Sequence, residues 1–163
     1  MAICAVCNAS SEELVNGPLE GKVFEHHRKF YEGFNKLTRK RLTLPNVNAT
    51  LRPYQIEGVK WIKYLYDNNM GGCLADDMGL GKTLQTISVL SLIYPQESKP
   101  TLLVMPRSLL FNWQNELARF APQLSVYTYY GNTRDIEEAM QHQLILTTYA
   151  IDAIAGLITG VAF

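Results

Sequence analysis

The chain has 163 residues, enough for one domain or one domain with an extension, and its 47% hydrophobic content is ordinary for a globular core. Lys plus Arg balance Asp plus Glu at 15 each, which excludes a global positive field but leaves backbone amides, hydroxyls and local basic patches as anion binders. Three cysteines and no convincing signal peptide demand no oxidising compartment. No stretch approaches the ~20 apolar residues of a membrane span, so a cytoplasmic setting is expected.

Cys4 and Cys7 form a lone C-x-x-C. A zinc site would need two further ligands, and adjacent His26 and His27 would point about 100° apart on a helix, which argues against one. Residues from about Glu20 to Arg41 read as an amphipathic helix, with Val23, Phe30, Tyr31, Phe34 and Leu37 recurring at helical spacing. Lys36, Arg39, Lys40 and Arg41 fall at its end, where the helix dipole favours cations. The plainer reading of that basic end is a solvated terminus rather than a nucleic-acid contact. Leu42 to Thr50, with Pro45, reads as a linker. The organisation expected is therefore an extension over residues 1–44 and a main domain over 45–163.

Pro53 suits the first turn of a second helix, expected to run to about Asn68 and to bury Val59, Ile62, Leu65 and Tyr66. Gly71-Gly72 ends it. Gly72 to Ala75 is expected to be a strand, with Cys73 a buried small hydrophobe. The segment Ala75 to Thr83, ADDMGLGKT, then reads as a phosphate-binding loop. Glycines let backbone N–H groups converge on phosphate oxygens, and a helix N-terminus adds partial positive charge. Lys82 would reach the β- and γ-phosphates, and the Thr83 hydroxyl would hold magnesium. Asp76 stands where the G-x-x-x-x-G-K-[ST] pattern has its first glycine.

After the loop, a helix is expected from Lys82 to about Ile93, before Pro95 and Pro100. Thr101 to Met105 is a continuous apolar run, the mark of a strand covered on both faces. Ser108 is expected to cap another helix with Leu109, Leu110, Trp113, Leu117 and Phe120 on its inner stripe. Leu124 to Tyr130 reads as a strand, Asn132 or Thr133 as the cap of a short acidic helix, and Gln143 to Thr148 as a further strand. Strands alternating with helices imply an α/β fold with a parallel sheet.

Five segments in order, LRPYQIEGVKW (Leu51 to Trp61), LADDMGLGKTLQT (Leu74 to Thr86), LLVMPRSLLFNWQNEL (Leu102 to Leu117), YYG (Tyr129 to Gly131) and LILTTY (Leu144 to Tyr149), resemble the first motor lobe of the Swi/Snf family of helicase-like ATPases, in helicase superfamily two. The resemblance covers about Leu42 to Tyr149, and the family carries Asp at the position of Asp76. It implies a RecA-like P-loop parallel sheet with flanking helices, ATP and magnesium as cofactors, and double-stranded DNA as partner. Gln55 resembles the glutamine that reads the adenine edge. Arg52, Asp77, Met78, Gly79, Leu80, Gly81, Lys82, Thr83 and Leu84 are implied to line the nucleotide, with Lys82 and Thr83 catalytic. Pro106, Arg107 and Ser108 resemble one DNA-backbone contact, and Thr147 and Thr148 a second.

The family's next element is an Asp-Glu pair at a strand end, and its second lobe supplies arginines to the γ-phosphate. Here Asp152 is the one acid after Thr148. The fold expected is thus truncated before the acidic (Walker B) strand, and the chain is expected to bind nucleotide but hydrolyse little. Leu157 to Phe163 is expected to cover the gap in the sheet, or two chains to pair there as a homodimer. A non-catalytic module binding nucleotide or DNA is the rival reading. A small-molecule kinase ranks behind both, because it explains neither the Gln55 nor the Pro106-to-Trp113 segment.

Overall fold

The computed structural model describes residues 32–33, 45–94, 97–131 and 134–149, and the backbone of 159–162. The expected helix over Glu20 to Arg41 lies outside the described residues except for Glu32 and Gly33, which are helical. Cys4, Cys7, His26 and His27 also lie outside them. The chain forms two compact units, one containing Leu51–Lys82 and the other drawn from Leu44–Thr50 and Thr83–Phe163.

In the first unit, helix α1 spans Pro53–Asp67, with proline at its start and Asn68 closing it. Proline's fixed φ suits a first turn, where its missing N–H would have no intrahelical partner. Val59, Tyr64 and Leu65 are buried, whereas Ile62 and Tyr66 are only half-buried. Residues 70–77 then run without strand pairing, and Cys73 is exposed. This corrects two expectations, the strand over Gly72 to Ala75 and the buried Cys73. A strand exists only through a hydrogen-bonded neighbour, and a run opening on two glycines brings few side chains to secure one. A Cβ on Gly72 would stand 2.3 Å from Leu65 Cδ1 and 2.9 Å from the Trp61 ring, so the backbone here packs directly on α1.

The second unit carries the sheet. Helix α2 (Lys82–Ile93), the first residue of which closes the first unit, is followed by β1 (Thr101–Val104), α3 (Arg107–Phe120), β2 (Val126–Thr128), α4 (Ile136–Ala139), β3 (Leu144–Thr147) and β4 (Thr159–Ala162). Spatial order is β2-β3-β1-β4, all parallel. The edge of β1 away from β3 is taken by β4 of the same chain, in register Leu103 to Val161. Every residue of β3 is buried, as expected of a strand covered on both faces. Leu102 and Ile145 face Ala139 and Ile136 of α4. Leu103 and Leu146, one position on, therefore share the opposite face. There α3 closes over the sheet, its Gln114 Nε2 donating to Thr128 Oγ1 at 2.6 Å.

Two caps differ from expectation. Helix α3 starts two residues earlier than a Ser108 cap requires, with Pro106 at the N-cap and no side-chain cap bond. Its buried stripe is Leu110, Trp113 and Leu117, while Leu109 is 42% exposed and Phe120 half-buried. Helix α4 is capped by Asp135, whose carboxylate accepts from the Glu137 and Glu138 N–H groups; Asn132 and Thr133 lie outside the described residues.

Segment 45–50 is stitched down rather than acting as a bare linker. The Asn46 carbonyl accepts from Ser91 Oγ at 2.8 Å and Gln123 Nε2 at 2.6 Å, and Asn48 N–H donates to the Phe120 carbonyl at 2.7 Å. Beyond α2, the buried Tyr94 hydroxyl meets the Gln143 carbonyl and the Thr101 hydroxyl, tying the start of β1 to the residue before β3. A carbonyl only accepts, so the phenol must stay protonated, and burial pushes its pKa up. Tyr94→Phe should cost about 1 kcal/mol, the usual net worth of one hydrogen bond. Thermal unfolding would then fall by roughly 2–4 °C for a chain of this size. An unchanged midpoint would mean that the hydroxyl adds nothing beyond its ring.

Candidate nucleotide site and candidate DNA-facing sheet end

The loop Asp76 to Gly81 is shaped by two glycines at positive φ, Gly79 at 83° and Gly81 at 77°. That region is strained for residues with a Cβ. A Cβ on Gly81 would also stand 2.5 Å from Gln55 Nε2, so a larger residue would displace the brace described next.

Gln55, 7% exposed in the first turn of α1, holds the loop from one side. Its Oε1 accepts from the Arg52 N–H at 2.9 Å and its Nε2 donates to the Leu80 carbonyl at 3.1 Å. The Tyr54 hydroxyl donates to that same carbonyl at 3.3 Å. One amide hydrogen and one oxygen lone pair of Gln55 remain beyond these two bonds. Sequence reasoning assigned Gln55 a base contact and passed over Tyr54; the structure makes both residues braces of the loop. Tyr54's only sequence signal is its place next to Gln55.

Lys82, the first residue of α2, folds back onto the loop. Its ammonium donates to the Asp76 carbonyl at 2.6 Å and the Asp77 carbonyl at 2.9 Å. Thr83 and Leu84 follow in the first turn of α2, each half-buried, while Met78 is 96% exposed at the loop tip. The donor set suits a polyphosphate chelated to a hard cation: a primary ammonium, a helix start, glycine backbone N–H groups and a hydroxyl.

In the second unit, the parallel strands bring their C-terminal ends to one end of the sheet. Pro106, Arg107 and Ser108 are exposed there. With no side chain capping α3, the N–H groups of Arg107 and Ser108 can face an anion, while that of Leu109 donates to the Pro106 carbonyl at 2.9 Å. Thr148 is half-buried and directly follows β3, whose last residue, Thr147, lies next to β1. Thr147 itself is withdrawn from the expected DNA contact. It is fully buried, its hydroxyl donates to the Tyr129 carbonyl at 3.0 Å, and its carbonyl accepts from the Met105 N–H at 3.0 Å. Sequence reasoning also missed that the Arg107 guanidinium carbon lies over the Tyr130 ring, 5.4 Å from its centroid.

The chain is similar to proteins of known family. The model of the SNF2-related domain matches residues 54–154. The helicase SWR1 of Candida glabrata is 50% identical over 94 residues, 56% of this chain and 6% of that protein. The chromatin-remodeling ATPase INO80 of Debaryomyces hansenii is 45% identical over 91 residues, covering 55% of this chain and 7% of the relative. An uncharacterized ATP-dependent helicase of Mycoplasma genitalium is 42% identical over 106 residues, 62% of this chain and 10% of the relative. The chain thus spans a tenth or less of the length of these curated relatives. Among solved structures, the Sulfolobus solfataricus SWI2/SNF2 ATPase core in complex with dsDNA superposes with a TM-score of 0.66 at 41% identity, covering 71% of this chain and 25% of that one. The sheet and its flanking helices are those of the RecA-like fold of that core. A braced glycine loop leading into a Lys-Thr helix start, and a family match over most of the described residues, have one conclusion: the chain belongs to the SNF2-related family of helicase-like ATPases, as part of the first motor lobe.

Proposed function

We propose that this chain is the ATP-gripping part of a Swi/Snf-type DNA-dependent ATPase, with residues 45–163 as a partial RecA-like lobe and 1–44 as an extension. The observation that carries the reading is the loop itself: two positive-φ glycines, the Gln55 brace and Lys82 drawn onto the loop carbonyls. On binding, the Lys82 ammonium exchanges the Asp76 and Asp77 carbonyls for β- and γ-phosphate oxygens, a stronger pairing because the acceptor is charged. Gly79 and Gly81 allow backbone N–H groups to converge on the phosphates, and the Thr83 hydroxyl would hold magnesium, which would supply neutralisation of charge on the phosphate oxygens. Gln55 offers its remaining hydrogen and lone pair to the adenine edge, next to Arg52, so recognition of the base and shape of the loop share one side chain.

Pro106, Arg107, Ser108 and Thr148 meet the backbone of double-stranded DNA, a reading supported by the dsDNA complex of the Sulfolobus relative. Relatives named as chromatin-remodeling ATPases favour a parent that works on DNA-bound protein, hence in a nucleus where the cell has one, in place of the cytoplasmic setting expected from composition. No helix among the described residues is long and apolar enough to cross a membrane.

The strand following β3, β4, carries Thr159, Gly160, Val161 and Ala162 and no carboxylate. Strand β4 supplies neither a water-orienting carboxylate nor an arginine for the transferred charge, so hydrolysis by this chain alone should fall by about 10³–10⁵. Phosphate release by the purified chain, with and without DNA, tests this. Background turnover is expected. DNA-stimulated turnover of about 1 s⁻¹, an ordinary enzymatic rate, that disappears in Lys82→Ala would overturn the low-activity reading. The bare strand β4 also favours the second reading, a nucleotide- or DNA-binding module that does no catalysis in any context.

A further inference from the structure

We infer that Tyr130 is a positioning residue that draws Arg107 across the end of β3 and presents its guanidinium to a DNA phosphate; this rests on the DNA-backbone reading of residues 106–108. Arg107 follows β1, and Tyr130 follows β2. The sheet order places β3 between those two strands. Two strand spacings are about 10 Å, yet the guanidinium carbon lies 5.4 Å from the Tyr130 ring centroid. The two side chains together therefore bridge the β3 end, where Thr147 and Thr148 lie, although Arg107 stays exposed at the start of α3.

The platform is itself held in place. Tyr129 N–H donates to the Leu146 carbonyl at 2.9 Å, the Thr147 hydroxyl donates to the Tyr129 carbonyl at 3.0 Å, and Tyr130 N–H donates to the Thr128 carbonyl at 3.1 Å. Gly131, at φ 74°, then turns the chain away. The buried hydroxyl of the withdrawn Thr147 thus anchors the segment that carries the ring. A cation–π contact to one ring leaves guanidinium N–H donors for an anion. A long side chain held by such a contact loses less rotamer freedom when it meets a phosphate. The YYG segment, a family-like motif without a role in the nucleotide site, acquires one at the DNA-facing end.

The test is binding of the full chain to a labelled DNA duplex at several salt concentrations, with unfolding midpoints measured beside it. Arg107→Ala should weaken binding and reduce the salt slope by about one. Tyr130→Ala should weaken it by about 2- to 5-fold, the worth of an exposed cation–π contact. Tyr130→Phe keeps the ring and should restore binding, whereas Tyr130→Leu keeps apolar bulk and should not. In the Arg107→Ala background, Tyr130→Ala should change nothing further. An equal loss in both backgrounds would overturn the positioning role, since Tyr130 would then act without Arg107. Full affinity in Tyr130→Ala, with Arg107→Ala still impaired, would also overturn it while leaving the DNA reading standing. An unimpaired Arg107→Ala, or a folded chain with no DNA affinity, would remove the DNA reading itself.

Discussion

Lys82→Ala should abolish most of the chain's grip on ATP while leaving its fold intact. Lys82 is half-exposed, and its ammonium donates to two carbonyls of its own loop. Those bonds are replaced on removal by water at an accessible site, so stability should move by no more than about 0.5 kcal/mol. Nucleotide affinity has no such substitute. Hydrogen bonds to charged groups are worth about 1.5–3 kcal/mol each, which is a roughly 10- to 100-fold loss of affinity. Displacement of a fluorescent adenine nucleotide, read beside thermal unfolding, separates the two quantities. An equal fall in both would make Lys82 a loop-folding residue and not a phosphate binder.

The second large effect is on stability. Leu103 is fully buried on β1, between β3 and β4 and opposite Leu146. Leu103→Ala removes its methyls from a two-sided core that cannot collapse freely, at a cost of about 2–5 kcal/mol. Domain stabilities are about 5–15 kcal/mol, so this single change consumes a large share. Phe111, 71% exposed on α3, is the control, and Phe111→Ala should stay within about 0.5 kcal/mol of wild type. Urea denaturation distinguishes the two. A Leu103→Ala loss as small as that of Phe111→Ala would mean that the sheet is not packed as described.

The parts legible from sequence were those where local chemistry decides. Helix α2 runs from Lys82 to Ile93 because a glycine turn precedes it and an apolar run follows, and both signals are local. The β1 and β3 runs are apolar at successive positions, which only a doubly covered strand tolerates. The misread parts depend on distant partners. Gly72 to Ala75 looks like a strand, but strand status is conferred by a neighbour, and the four-stranded sheet has β4 beside β1. Thr147 and Thr148 are indistinguishable in sequence, yet alternation turns Thr147 inward to the Tyr129 carbonyl. Pro106, with its fixed φ, took the N-cap place expected of Ser108. In the candidate nucleotide site, the loop glycines were readable as a turn, but the Gln55 brace on Leu80 was not. It joins residues 25 positions apart and needs the fold to bring them together.

We propose that the nucleotide site works within this chain, and titration calorimetry of the folded chain with ATP, ADP and GTP in magnesium tests this. Saturable binding of ATP and ADP is expected, with weaker binding of GTP if Gln55 reads the base edge as proposed, and with the adenine preference then lost in Gln55→Ala. A chain shown to be folded that binds none of the three nucleotides would contradict it.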